Sequence, residues 1–170
     1  AHVHVMGENS SENFEAYRVA NRDGSVSLAE AAVGAGVKRI VFISTVKVNG
    51  EVTTNYPFVE TDLPSPVGVY AVSKWEAEKS LTEIAKKSNL ELVILRVPLV
   101  YGPYVKGNFF ELIEACARRK ILPLDAIINK RSLLYVSNLA SAIKTTLEHP
   151  AAAGKTYFVS DGDDLSTPDL

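Results

Sequence analysis

Disulfide chemistry within this chain is excluded by scarcity: among 170 residues the only cysteine is Cys116. It sits between alanines in a helical stretch, so a core or half-buried thiol is expected, in keeping with a cytoplasmic protein. Charge of one sign is equally scarce. The formal net charge is −2, both signs are interspersed, and no basic run exceeds Arg118-Arg-Lys120, which reads as the cationic end of a helix. A nucleic-acid partner is therefore not expected. Nor is a membrane partner, because no apolar stretch approaches the roughly 20 residues a spanning helix needs. Ala1 to Ser10 has neither a basic start nor an apolar core, so no signal peptide is expected.

Metal and phosphate motifs are missing as well. His2 and His4 lack further ligands at metal-binding spacing, so no metal is expected. Gly154-Lys155-Thr156 imitates the tail of a phosphate-binding loop, but His149 stands where its first glycine belongs, and a strand follows. It reads as a turn. Gly34-Ala-Gly36 lacks the third glycine of a dinucleotide fingerprint and precedes a strand instead of following one, so it reads as a helix stop.

What is present is a chain of 46% apolar residues, enough for one sizeable globular core. Residues 11–35 predict a helix with apolar or small positions at Phe14, Tyr17, Val19, Val26, Leu28, Ala31 and Ala32. A β-branched strand follows over 38–44, and a long loop over 46–66 holds Asn49-Gly50, Pro57, Pro64 and Pro66. Next come a helix over 67–88, a strand over 91–97, a turn-rich loop over 98–107 and a helix over 108–119. The pattern closes with a strand over 132–136, a helix capped by Ser137 and stopped by Pro150, and a strand over 155–160. Strands alternating with helices predict an α/β protein with a doubly wound parallel sheet. Ser166-Thr-Pro-Asp-Leu170 reads as a helix start left unfinished, so the sequence looks cut.

The chemistry concentrates in Gly68-Val-Tyr-Ala-Val-Ser-Lys-Trp-Glu-Ala-Glu-Lys79. Tyr70 and Lys74 are four apart and share one helical face, where an ammonium can stabilise a phenolate and lower a tyrosine pKa that is ordinarily about 10. A tyrosine tuned that way takes a proton from a hydroxyl near neutral pH. Alone, the pair is equally a tyrosine packed on a lysine stem. The upstream strand Val37-Lys-Arg-Ile-Val-Phe-Ile-Ser-Thr45 gives it context, because open α/β sheets place their chemistry at strand ends.

Four motifs in order then resemble the extended short-chain dehydrogenases/reductases, in the NAD-dependent epimerase/dehydratase branch that acts on nucleotide sugars. Asn21-Arg-Asp-Gly-Ser-Val-Ser-Leu28 resembles the family's Asn-x-x-Gly-Thr-x-x-Leu helix, and 36–45 resembles the strand leading to its catalytic hydroxyl. Tyr70/Lys74 resembles its active pair, and Leu95-Arg-Val-Pro-Leu-Val-Tyr-Gly-Pro103 the segment passing the nicotinamide. The resemblance implies a Rossmann-like fold lacking its first β–α units, with residues 1–100 a partial dinucleotide-binding core and 101–170 a substrate-binding region. It implies catalytic Thr45, Tyr70 and Lys74, and cofactor contacts from Ser44, Tyr70, Lys74 and Pro98. Substrate contacts fall to Thr45, Leu99, Asn108 and Arg131, the last through a guanidinium fork that matches phosphate oxygens.

The implied cofactor is NAD, or NADP, whose discriminating residues lie outside this sequence. The implied substrate is a UDP-sugar oxidised at a hydroxyl, at C4, with hydride passing to the cofactor. Thr45-Val46-Lys47 has no Asp-Glu pair, which counts against a dehydratase. Two alternatives stand beside the epimerase or oxidoreductase. One is a reductase of a non-sugar ketone, against which Asn108 and Arg131 argue; the other is a non-catalytic binding module. The family is often dimeric through the Tyr70 helix, whose Val72, Ala77 and Leu81 are expected to supply a second apolar face.

Overall fold

The computed structural model describes residues 11–54, 56–118 and 127–170. His2 and His4, and Arg119 and Lys120 of the basic cluster, lie outside them. The chain divides into two compact units: the first takes residues up to Arg96 plus Ile143–Phe158, the second Val97–Ala142 plus Val159–Leu170.

The first unit opens on α1 (Ser11–Tyr17) and α2 (Gly24–Gly34), joined by a π-helical segment, Arg18–Asp23. An uninterrupted helix was the expectation. The wider turn carries Asn21, 2% exposed, whose Nδ2 donates to Ser73 Oγ, while Ser25 Oγ donates to the Asn21 carbonyl. The stop after α2 is a paired backbone cap: Val37 N–H bonds the Ala32 carbonyl and Gly36 N–H bonds that of Val33. Gly36 meets the requirement for a left-handed residue, at φ 72°.

Strands β1 (Arg39–Thr45), β2 (Glu91–Val97) and a later β5 (Thr156–Phe158) form a sheet of order β1-β2-β5. β2 runs parallel to β5, with Ile94 opposite Thr156 and Arg96 opposite Phe158. All but the first residue of β2 is buried, as a central strand covered on both faces requires. Helix α3 (Gly68–Lys86) turns Ala71, Lys74, Glu78 and Leu81 inward at helical spacing, with Ser73 and Ala77 beside them. Leu81 joins Ala29, Leu90, Leu92 and Ile94 in the core, backed by Ile40, Phe42 and Ile84. The expected outward apolar face is corrected here: Ala77 is 0% and Leu81 2% exposed, because both serve this chain's own interior. Arg39 Nη1 reaches three carbonyls at the end of the helix Val136–Glu148 and its exit, those of Thr146, Leu147 and His149, at 2.8 to 2.9 Å.

The second unit holds β3 (Leu99–Tyr101), α4 (Asn108–Ala117), β4 (Arg131–Tyr135), the first turns of α5 (Val136–Glu148) and β6 (Asp164–Leu165). Its sheet has the order β3-β4-β6, with β3 parallel and β6 antiparallel to β4. Two expectations change. The stretch 98–107 is not loop throughout, since β3 pairs Leu99 with Leu133, and Cys116 is exposed. Helix α4 has one inward stripe, and Cys116 falls off it. Helix α5 begins at Val136, ahead of the expected Ser137 cap. Gly154, at φ 71°, makes the turn into β5, as expected of a segment that imitates a phosphate loop.

Candidate active site

Thr45 closes β1 in extended conformation, 7% exposed, and its hydroxyl accepts from Lys47 N–H at 3.3 Å. α3 starts across from it at Gly68, whose φ of 79° lets the chain turn from extended Val67 into helix. The first turn delivers Tyr70. Its phenol is hydrogen-bonded to the Thr45 side chain, and its ring meets Tyr17 edge-on at 6.0 Å. One turn on, Lys74 is 6% exposed; its Nζ donates to the Ile43 carbonyl at 2.7 Å and lies 4.3 Å from the Phe42 ring centroid. A strand end and a helix face thus bring Thr45, Tyr70 and Lys74 into one cluster, with Ser44 next to Thr45.

Electrostatics here run against one expectation. Burial pushes the Tyr70 phenol up to about 12, the Thr45 hydrogen bond acting to lower it and Tyr17 adding slightly to the rise. The Lys74 ammonium is directed at the Ile43 carbonyl and the Phe42 face. The same burial pulls Lys74 down to about 8, opposed by the charge of Glu78. In this structure burial favours the protonated phenol and weakens the lysine as a cation.

Behind the cluster lies a buried ionic group whose function the sequence reading missed. Glu78, 1% exposed, accepts from Ser44 Oγ, from Arg96 Nε at 3.1 Å and from Arg96 Nη2 at 2.6 Å. Arg96 Nη1 continues to Asn49 Oδ1 at 2.8 Å, and the guanidinium carbon lies 5.8 Å from the Trp75 ring centroid. Two signals pointed to it. Glu78 repeats the four-residue step from Tyr70 to Lys74, and Arg96 is a charge inside an apolar strand, which demands a partner.

The remaining expected residues belong to the second unit. Pro98 is half-buried between β2 and β3, and Leu99 opens β3 at 39% exposure. Asn108 is the first residue of α4, after Gly107 at φ 70°. Arg131 is the exposed first residue of β4, opposite Leu165, and not a loop residue. Nearby, the Asp161 carboxylate accepts from Asn138 Nδ2 at 2.7 Å, Tyr135 N–H and the Tyr101 hydroxyl, and these hold it below the usual range. Among the described residues no cluster of His, Cys, Asp or Glu could hold a metal ion, and no helix is long and apolar enough to cross a membrane.

An α/β chain with a hydroxyl residue at a strand end facing a Tyr-x-x-x-Lys helix has known counterparts. The profile of the NAD dependent epimerase/dehydratase family matches residues 1–160, and this chain belongs to that family. It is 45% identical over 172 aligned residues to UDP-glucose 4-epimerase of Vibrio cholerae, covering 100% of this chain and 52% of that protein. It is 33% identical to N-acetyl-alpha-D-glucosaminyl-diphospho-ditrans,octacis-undecaprenol 4-epimerase of Escherichia coli O157:H7, covering 91% of this chain and 46% of that one. Among solved structures, UDP-glucuronic acid 4-epimerase from Bacillus cereus in complex with NAD superposes with a TM-score of 0.86 at 25% identity, covering 95% of this chain and 53% of that chain. The chain spans about half the length of the curated relatives it matches.

Proposed function

We propose that this chain carries the acid–base half of an NAD-dependent nucleotide-sugar epimerase or oxidoreductase, acting at a sugar hydroxyl, at C4 of a UDP-sugar. The observation that carries the reading is the convergence of Thr45, Tyr70 and Lys74 where β1 ends against α3. The family match and the relatives named for 4-epimerisation support the substrate class. The donor set also fits the cofactor: an ammonium has three donors, of which one serves Ile43, leaving donors suited to a ribose diol. NAD, when bound, supplies the hydride acceptor and a positively charged ring.

Thr45 and Tyr70 hold the reacting sugar oxygen between two hydroxyls. Tyr70 takes the hydroxyl proton as hydride departs and returns it when the keto group is reduced. Its raised pKa suits the returning step, in which it is the acid. Lys74 steadies the phenolate in the first step and holds the cofactor's ribose. Thr45 stabilises charge developing on the oxygen. Pro98, Leu99, Asn108 and Arg131 are assigned to the nicotinamide amide and the sugar diphosphate, Arg131 by its exposed fork.

The test is Tyr70→Phe in the complete protein, assayed for interconversion of UDP-glucose and its C4 epimer. Turnover should fall by about 10²- to 10⁴-fold with thermal unfolding unchanged. Unaltered turnover would overturn the catalytic assignment. A homodimer through α2 and α3 belongs to the same reading, supported by exposed Leu28 and Val33 and by an open groove of about 440 Å³ lined by Val26, Glu30, Lys79 and Glu83. A monomeric mass in solution would refute it.

A further inference from the structure

Glu78 takes no part in the steps above, yet it is the most completely enclosed carboxylate near them, at 1% exposure. Carboxylates are almost never buried unless paired, and this one is paired throughout: Oε1 receives Ser44 Oγ and Arg96 Nε, and Oε2 receives Arg96 Nη2. Stability alone does not explain such a pair, because a packed apolar replacement of similar volume is often as stable. What distinguishes Glu78 is what it touches. Ser44 immediately precedes Thr45 on β1, and Lys74 sits one helical turn before Glu78 on the same face of α3. Lys74 in turn holds the carbonyl of Ile43, so the last three residues of β1 are tied to α3 in succession: Ile43 to Lys74, Ser44 to Glu78 and Thr45 to Tyr70.

We propose that Glu78 is a positioning residue for the reaction: its carboxylate fixes the Ser44–Thr45 end of β1 through Ser44 and places a fixed negative charge one helical turn from Lys74, with Arg96 and Asn49 holding it in place. This rests on the assignment of Thr45, Tyr70 and Lys74 as the catalytic group. The groups facing Lys74 agree with it. On α3 they are Tyr70 and Glu78. β1 presents the Ile43 carbonyl, the Phe42 ring and Ser44; β2 presents Arg96, already forked onto Glu78; Tyr17 of α1 meets the Tyr70 ring, and in the π segment Arg18 and Arg22 are paired with Glu76. Glu78 is the one charge that favours the ammonium against its burial.

The experiment uses the complete protein labelled with 13C at lysine Cε, so that Lys74 titration is read directly by NMR beside the pH profile of turnover. Glu78→Gln retains an acceptor for Ser44 and removes the charge. The Lys74 midpoint should move down by about one unit, and the high-pH limb of kcat should move with it. The loss of kcat should then be larger at pH 8 than at pH 6, with KM for the UDP-sugar little changed. Glu78→Gln/Arg96→Gln removes the stranded guanidinium, and is decisive if the single variant does not fold. It should fold and still titrate below the wild-type midpoint. An unmoved Lys74 midpoint in the folded variant, or a loss of kcat equal at every pH, overturns the proposal. Tyr70→Phe separates the two levels: if it leaves turnover intact, the catalytic reading fails while the Lys74 titration remains readable.

Discussion

Lys74 is held in its site at a measurable energetic cost, and Lys74→Met should expose it. The side chain is 6% exposed, and its pKa falls from 10.5 to about 8. At 1.36 kcal/mol per pH unit, that is an unfavourable contribution of about 3 kcal/mol at pH 7. Methionine fills a similar volume without the charge, but gives up the bond to the Ile43 carbonyl, about 1 kcal/mol, and the contact with Phe42, of the order of 0.5–1 kcal/mol. The variant should therefore be more stable than wild type by about 1–2 kcal/mol at pH 7, while turnover is lost. The folded pKa lies below the unfolded one, so from about 8 to 10.5 the unfolded state binds more protons and wild-type stability rises with pH. Lys74→Met lacks that rise, and its advantage should shrink by about 2 kcal/mol between pH 7 and pH 9.5. Urea unfolding of both proteins at the two pH values, followed by circular dichroism, measures it. A variant less stable than wild type at pH 7, with the same difference at pH 9.5, would refute the reasoning.

Arg96→Met leaves the Glu78 carboxylate buried without its fork and should cost about 3–5 kcal/mol, most of it recovered in Arg96→Met/Glu78→Met; a double variant no better than the single would refute the ionic account. Gly102→Ala meets two obstacles, a φ of 149° and a Cβ that would stand 2.6 Å from Val136 Cγ1. It should lower the thermal midpoint by a destabilisation of about 2 kcal/mol or more. Arg39→Ala removes the donor serving the Thr146, Leu147 and His149 carbonyls and should cost about 1–3 kcal/mol. Arg39→Lys should recover only part of it, because an ammonium cannot also reproduce the fork on Glu91.

The placement of Tyr70 and Lys74 together was legible because two short-range rules overlap there. A four-residue step puts Tyr70 and Lys74 on one face wherever a helix forms, and a β-branched run ending in hydroxyls marks a strand whose end is free for chemistry. The Gly34–Gly36 stop was legible for the same local reason, since only a left-handed residue closes that cap. Features set by packing were not. The π segment at Arg18–Asp23 keeps the apolar spacing of an ordinary helix nearly intact, so periodicity does not reveal it. Leu81 could face either way until Leu92 and Ile94 of β2 and Ile40 and Phe42 of β1 packed on that side of α3. The exposure of Cys116 and the pairing of β3 with β4 likewise depend on neighbours distant in sequence.

Glu78 and Arg96 lie between these extremes, and they show why stability and chemistry are opposed at this site. Burial weakens the ammonium of Lys74 and strengthens the hold of the Tyr70 phenol on its proton, both in the direction that impairs a base at neutral pH. The sheet-to-helix contact that creates the cluster is the source of that burial, so the fold cannot relieve one without loosening the other. A fixed negative charge beside the lysine is the remaining remedy, and in a dry interior it needs its own counter-ion, which β2 supplies as Arg96. The Glu78–Arg96 ion pair and the Tyr70/Lys74 pair are therefore parts of one electrostatic arrangement. Neutralising Glu78 should consequently alter the pH at which Lys74 acts before it alters whether α3 folds.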